Sequence, residues 1–163
     1  MVIDQTKRRL GWLLLSAVFI ALAVVAVDQG AKLVVDARLP IGEWVDVLPV
    51  LALEHVHNTG VLLSLFADFG LGVVIVPLAA TVAIVVLWVR TFDGRRTTAA
   101  SFGLILGGAL GNLIDRARLG HAIDFLSLHI EDQILFVFNL ADVAVMLGLS
   151  LLVVYAAPFM KRL

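Results

Sequence analysis

The chain has no cysteine, which excludes a disulfide framework, a thiolate nucleophile and a thiolate metal site. Charge is scarce as well: 15% of the residues are Asp, Glu, Lys or Arg, against about 25% in soluble domains. Twelve basic residues are offset by thirteen acidic ones, so no basic face is available to neutralise phosphates and a nucleic-acid partner is excluded. Familiar catalytic patterns are missing too. There is no Gly-rich phosphate loop, no Gly-x-Ser-x-Gly elbow, no Ser/Lys dyad context and no His-Glu-x-x-His. No low-complexity segment, linker or repeat divides the 163 residues, which read as a single domain.

What fills the chain instead is apolar. Hydrophobic residues make up 61% and the mean hydropathy is +1.05, the composition of an integral membrane protein. Four runs stand out, at about 10–27, 71–89, 97–116 and 140–160. A spanning helix needs roughly 18 or more apolar residues. The third run reaches that length only if Thr97, Thr98 and the polar turn from Asn112 to Arg116 lie at headgroup level. The first run has some features of a cleavable signal, with Lys7-Arg8-Arg9 before it and Ala21-Leu22-Ala23 as a small-x-small site. It continues past that site and is long enough to span, so it reads as a helix that stays in place.

Threading four spans puts both termini on one side, together with Lys7, Arg8, Arg9, Arg90, Arg95, Arg96, Lys161 and Arg162. By the positive-inside rule that side is cytoplasmic. Residues 28–70 and 115–139 then face outward, and counted with Asp142 at the membrane edge they hold most of the acids. The first outer segment has partial period-two alternation at Glu43-Trp44-Val45-Asp46-Val47 and from Leu51 to His57, split by Pro49 and followed by Asn58-Thr59-Gly60. A small sheet on the membrane surface is expected there, with Trp44, Phe66 and Phe69 as interfacial anchors. The expected fold class is an all-α integral membrane protein of four transmembrane helices with a small extracytoplasmic β-sheet.

Several polar residues invite chemistry, and each has a plainer reading. Gly103, Gly107 and Gly111 form a stripe at four-residue spacing, which suits close helix packing. Asn112, Asp115 and Arg116 share a helix face if the third helix continues. Pairing of Arg116 with Asp115 or Asp28 would leave Asn112 free to hydrogen-bond an extended peptide. Asp28 and Lys32 have ion-pair spacing. His55 and His57 would share a strand face, but no third ligand stands at a recognisable spacing, so no metal site is expected.

Asn139 and Asp142 are three apart at the start of the last run. A carboxylate at a bilayer centre costs roughly 2.5–3.5 kcal/mol, less near the surface, and usually has a partner or a function. If the helix starts at Asn139, Asp142 has a capping explanation. Capping and catalysis both stand at this point. Asp124, in His121-Ala122-Ile123-Asp124-Phe125, is a second carboxylate on the same side. With other nucleophiles and metal patterns absent, hydrolytic chemistry falls to carboxylates. Two close aspartates share a proton, one serving as base toward water and the other as acid toward a carbonyl.

The order of motifs is informative: Asp28-Gln29-Gly30-Ala31-Lys32, Asn58-Thr59-Gly60, Gly108 through Asn112 to Asp115-Arg116, Gly120 to Phe125, and Phe138-Asn139-Leu140-Ala141-Asp142. Together they resemble the bacterial lipoprotein signal peptidases, the signal peptidase II family. The resemblance runs from the first span to the fourth. It implies an aspartyl endopeptidase of the bacterial inner membrane that removes the signal peptide from prolipoproteins, cutting before a cysteine that carries a diacylglyceryl group. Asp124 and Asp142 would be the catalytic dyad. Asn58, Gly60, Asn112, Arg116 and Asn139 would position substrate or dyad, with Asp28 and Lys32 supporting them. No metal or other cofactor is implied, and a monomer acting on its substrate in membrane lipid is expected. One departure follows Asn58-Thr59-Gly60, where the family continues with small residues and an aromatic but this chain has Val61-Leu62-Leu63. Bulkier groups there bear on substrate preference rather than on the reaction. Other classes are a small proton-coupled transporter, for which intramembrane acids are also expected, and a non-catalytic scaffold held by the glycine stripe. The transporter reading lacks a broken-helix pair in related halves, and the scaffold leaves the outer polar motifs unexplained.

Overall fold

The computed structural model describes residues 2–60, 72–91, 94–130 and 133–160. Phe66, Phe69 and the Val61-Leu62-Leu63 departure lie outside the described residues, as do Lys161 and Arg162. The chain order is α1 (Val2–Arg38), β1 (Trp44–Leu48), β2 (Leu51–Asn58), α2 (Gly72–Thr91), α3 (Arg96–Leu119), β3 (Ala122–Ile130), β4 (Gln133–Phe138) and α4 (Leu140–Met160).

Among the described residues three helices are long and apolar enough to cross a membrane, within Arg8–Arg38, Gly72–Arg90 and Arg96–Leu119. In α4 the apolar stretch among the described residues runs from Leu140 to Val154 and falls short of that length. Leu15, Phe19, Leu22 and Val27 on α1, Val82 and Val89 on α2, and Met146 and Val153 on α4 are exposed on the bundle surface. Such a surface is stable against hydrocarbon, where every helical backbone group is already paired.

Helix α1 is much longer than the expected first span. At 37 residues it measures about 55 Å at ~1.5 Å per residue, well over the ~30 Å hydrocarbon thickness. Its last turns therefore project to the sheet and carry Asp28, Lys32 and Val35 with them. Residues 28–38, expected from the sequence in the outer segment beyond the first span, continue the helix because nothing breaks it before Leu39-Pro40.

Helix α3 is the hub, packing against α1, α2 and α4. The glycine stripe explains how. A Cβ added at Gly103 would sit 2.7 Å from the Ala17 carbonyl oxygen, and one at Gly107 would sit 2.7 Å from Val24 Cβ. The neighbouring Gly108 abuts the Ala141 backbone of α4. Small residues let these backbones approach where hydrophobicity alone gives no preference between helix and lipid. An apolar cluster of Leu13, Ala17, Trp88, Ala99 and Phe102 holds the far end of the bundle.

The sheet is four-stranded and antiparallel, in the order β1-β2-β3-β4. β1 and β2 match the alternation expected around residues 43–57. β3 and β4 lie in a stretch read from the sequence as a connection. Leu126-Ser127-Leu128-His129-Ile130 of β3 does alternate apolar and polar residues, a strand signal present in the sequence, whereas β4 is a continuous apolar run without alternation. Gly120 starts this half of the sheet: at φ 80° it caps α3, donating its N–H to the Arg116 carbonyl at 3.0 Å, and turns the chain into β3. Glycine is favoured in that left-handed conformation. A second cluster, Val35, Ile123 and Phe125, joins the end of α1 to β3 on either side of Asp124.

Candidate active site

All nine residues singled out from the sequence converge at the sheet end of the bundle. Two linked polar networks hold them.

The first surrounds Lys32. Its Nζ lies 2.8 Å from Asp28 Oδ2 and 2.6 Å from Asp115 Oδ2, and donates to Asn112 Oδ1 at 2.9 Å. An ammonium has three hydrogens and no acceptor, so these partners satisfy it fully. Lys32 and Asp28 are 2% and 0% exposed, a depth at which an unpaired charge is costly. Gln29 completes the cluster by donating to Asp115 Oδ1 at 2.7 Å and the Gly111 carbonyl at 3.2 Å. Asp28 Oδ1 accepts the Ala141 N–H at 2.9 Å, fastening α1 to the N-terminus of α4, where a carboxylate is favoured by exposed amides and the helix dipole. Gly111 permits this: a Cβ there would lie 2.7 Å from Asp28 Oδ2.

The second network joins Asp124 and Asp142. In the sheet register Asn58 of β2 is opposite Ala122, two residues before Asp124, and the diagonal places its amide over that carboxylate. Asn58 Nδ2 donates to Asp124 Oδ2 at 2.7 Å, and Asn139 Nδ2 donates to Asp124 Oδ1 at 2.6 Å. Asn112 Nδ2 donates to Asp142 Oδ1 at 2.8 Å, and Asn139 Nδ2 also donates to Asn112 Oδ1 at 2.9 Å. The two aspartates are thus linked through Asn139 and Asn112.

Helix α4 begins at Leu140, with Asn139 as its cap. Asp142 N–H donates to Asn139 Oδ1 at 3.0 Å and Asn139 N–H donates to Asp142 Oδ2 at 3.1 Å, the reciprocal pattern of a capping box. Capping is therefore how Asp142 is oriented, and it leaves the carboxylate half-buried at the site. Asp124 is 2% exposed. Burial pushes its pKa up to about 6, and the negative charge of Asp142 adds to the rise. Hydrogen bonds from Asn58 and Asn139 and the Lys32 charge act in the opposite direction.

Two expectations need correction. Arg116 pairs with neither Asp115 nor Asp28. Adjacent residues on a helix do not face each other, and both acids are taken by Lys32. Arg116 Nη2 donates instead to the Gly60 carbonyl at 2.7 Å, while Gly60 N–H donates to Asn58 Oδ1 at 2.9 Å, so Arg116 steadies the turn after β2. Nor is Asn112 free for a peptide, since its amide bridges Lys32, Asn139 and Asp142. Gln29 and Asp115 were not chosen as site residues from the sequence. Both stood in or beside the quoted motifs, but their partner was invisible until α1 and α3 were packed.

Beside His55 and His57 the extended α1 places Asp36, and one nitrogen or oxygen atom of each of the three lies within 4.8 Å of the others. His57 pairs with Ile123, so by strand alternation this group faces away from Asp124.

Fold and site together define an apolar, mostly helical protein with a small sheet and a polar cluster at one end of the bundle. Two solved structures, each described as a bacterial membrane enzyme determined by the in meso method, share this fold: one with a TM-score of 0.80 and 24% identity over 90% of each chain, the other with a TM-score of 0.75 and 25% identity over 86% of this chain and 91% of its own. Residues 20–157 match the family model of signal peptidase (SPase) II. The chain belongs to that family. Curated relatives include the lipoprotein signal peptidase of Mesorhizobium japonicum, 40% identical over 82% of this chain and 80% of the relative, and that of Brucella ovis, 36% identical over 90% and 91%.

Proposed function

We propose that this protein is an aspartyl endopeptidase of the bacterial cytoplasmic membrane that cuts prolipoproteins before a diacylglyceryl-modified cysteine. Its family membership makes it a signal peptidase for lipoprotein precursors, and the transporter reading has no support among the relatives. The observation that carries the aspartyl mechanism is the amide-linked pair formed by Asp124 on β3 and Asp142 in the first turn of α4.

In this mechanism the pair shares one proton. Asp124, the more buried and with its pKa raised to about 6, holds the proton and donates it to the scissile carbonyl oxygen. Asp142 takes a proton from water, whose oxygen attacks the carbonyl carbon. The tetrahedral intermediate then collapses: the C–N bond breaks, the proton now on Asp142 passes to the leaving amine, and Asp124 takes back a proton from a hydroxyl of the intermediate as the carboxylic acid forms. Asn139 and Asn112 keep the carboxylates in register, and Arg116 and Gly60 shape the adjoining turn. A site at the end of the helices suits a substrate whose peptide is in water and whose anchor is in lipid.

With α4 as a fourth span, both termini lie in the cytoplasm and the site outside, in agreement with the distribution of basic residues. The exposed Ile134, Leu135 and Phe136 of β4 support a sheet that rests on the membrane. The protein acts as a single unit and a monomer, needing no metal for cleavage.

Asp124→Asn and Asp142→Asn are each expected to lower cleavage of a diacylated prolipoprotein by about 10²- to 10⁴-fold, the usual worth of a positioned acid or base. Circular dichroism and thermal midpoint should show that the variants fold. Normal turnover by either would remove the dyad assignment. An unacylated precursor should be cut far more slowly by the unaltered protein; equal cleavage of both would contradict the lipid-dependent reading.

A further inference from the structure

Away from the dyad, on the opposite face of β2, three potential ligands meet. His55 and His57 stand two residues apart on one strand, their rings 5.1 Å apart and edge to face. Asp36 arrives from the last turns of α1, and all three ligand atoms lie within 4.8 Å of each other. His121 stacks on His57 with ring centroids 3.8 Å apart, which fixes the plane of that imidazole.

The state of His55 separates this group from a chance surface cluster. The side chain is 2% exposed. Its Nδ1 is 2.7 Å from the Leu39 carbonyl oxygen, and since a carbonyl only accepts, Nδ1 carries the hydrogen. In the neutral ring Nε2 then holds a lone pair, yet this buried nitrogen has no hydrogen-bond partner among the described residues. The closest acid, Asp36 Oδ1, is 3.9 Å away, beyond hydrogen-bond length. An imidazole whose far nitrogen donates to a backbone carbonyl is in the tautomer and orientation of a metal ligand.

We propose that Asp36, His55 and His57 form a binding site for a divalent transition-metal ion, with Zn²⁺ as the best chemical match. Two imidazole nitrogens and one carboxylate oxygen are a common zinc donor set, leaving a fourth position for water. Bond lengths of about 2.0–2.2 Å require the ligand atoms to draw somewhat closer than they stand. Asp36, whose side chain is 59% exposed, is free to rotate inward and close the triangle around the fixed His55 Nε2. The bound ion joins the end of α1 to β2, three residues before Asn58, and so braces the strand that supplies a donor to Asp124. This site is independent of the reaction assigned to the dyad.

The test uses the full chain without a histidine tag, in detergent, titrated with Zn²⁺ by calorimetry and with Co²⁺ by visible absorption. One ion per chain is expected, with a raised thermal midpoint and cobalt bands of low coordination number. Asp36→Asn and His57→Ala, at positions that are not fully buried, should each weaken Zn²⁺ binding at least tenfold and remove the thermal shift. Asp124→Asn with Asp142→Asn should bind Zn²⁺ as the unaltered protein does. Absence of binding, undiminished affinity in both Asp36→Asn and His57→Ala, or loss of binding in the double aspartate variant would each overturn the assignment.

Discussion

Asp28 and Asp115 lie 2.8 and 2.6 Å from Lys32 Nζ, whereas Asp124 and Asp142 receive their side-chain hydrogen bonds from the neutral amides of Asn58, Asn112 and Asn139. The two pairs are joined by Asn112, which touches both. Around Lys32 opposite charges in direct contact tie α1 to α3 as a strut. Around Asp124 and Asp142 neutral amides orient the carboxylates instead. Arg116 sharpens the contrast, because its guanidinium is directed to the Gly60 carbonyl rather than to either member of the dyad. The same residue type thus holds the helices together in one place and is presented by neutral amides in the other, where the proposed reaction needs it.

Removing the cation should break the contrast most severely. Lys32→Met keeps the length of the side chain but leaves Asp28 and Asp115 buried without their counter-charge, at a cost of roughly 3–5 kcal/mol. Thermal unfolding in detergent should show a large drop. A midpoint close to that of the unaltered protein would mean that the ammonium is not what stabilises the cluster.

Gly111→Ala tests the same strut sterically. The new methyl would sit 2.7 Å from Asp28 Oδ2 and 3.3 Å from Ala141 Cβ, and Asp28 is pinned by Lys32 and the Ala141 N–H. Overpacking of this kind costs about 1–3 kcal/mol. Gly30→Ala, where an added Cβ meets no heavy atom within 4 Å, is the control and should leave the midpoint nearly unchanged.

The smallest effect concerns the titration of the dyad. Asp124 is protonated below and ionised above about pH 6. If it supplies the proton, kcat/KM declines as pH rises through that value. The Asn58 hydrogen bond lowers the Asp124 pKa, so Asn58→Ala should move this alkaline limb to higher pH while reducing the rate at its optimum. A limb that stays in place, or moves to lower pH, would show that Asn58 does not act through Asp124.

The sequence was most readable where local rules suffice. Helix boundaries near 140 and the strands near 43–57 followed from caps, Pro49 and alternation, and the Asp28–Lys32 pair followed from helical spacing. It was least readable where two distant segments supply one environment. Strand β4 is an unbroken apolar run with no period-two signal, and Arg116 could not be assigned a partner before the turn at Gly60 was placed beside it. The place of Asp36 beside His55 and His57 was hidden for the same reason, since it reaches them only because α1 runs on to Arg38.

By itself the sequence determined the membrane class, the four apolar runs, the stripe of glycines and the identities of the polar residues at one end. Composition and periodicity are local properties of the chain, and the ordered motifs carry the family resemblance. Only the tertiary structure decided which carboxylate meets a cation and which meets an amide. Asp28, Asp115, Asp124 and Asp142 are chemically alike along the chain. Their difference comes from the close approach at Gly111, the turn at Gly120 and the β2–β3 register, which set burial and hydrogen bonding at each carboxylate.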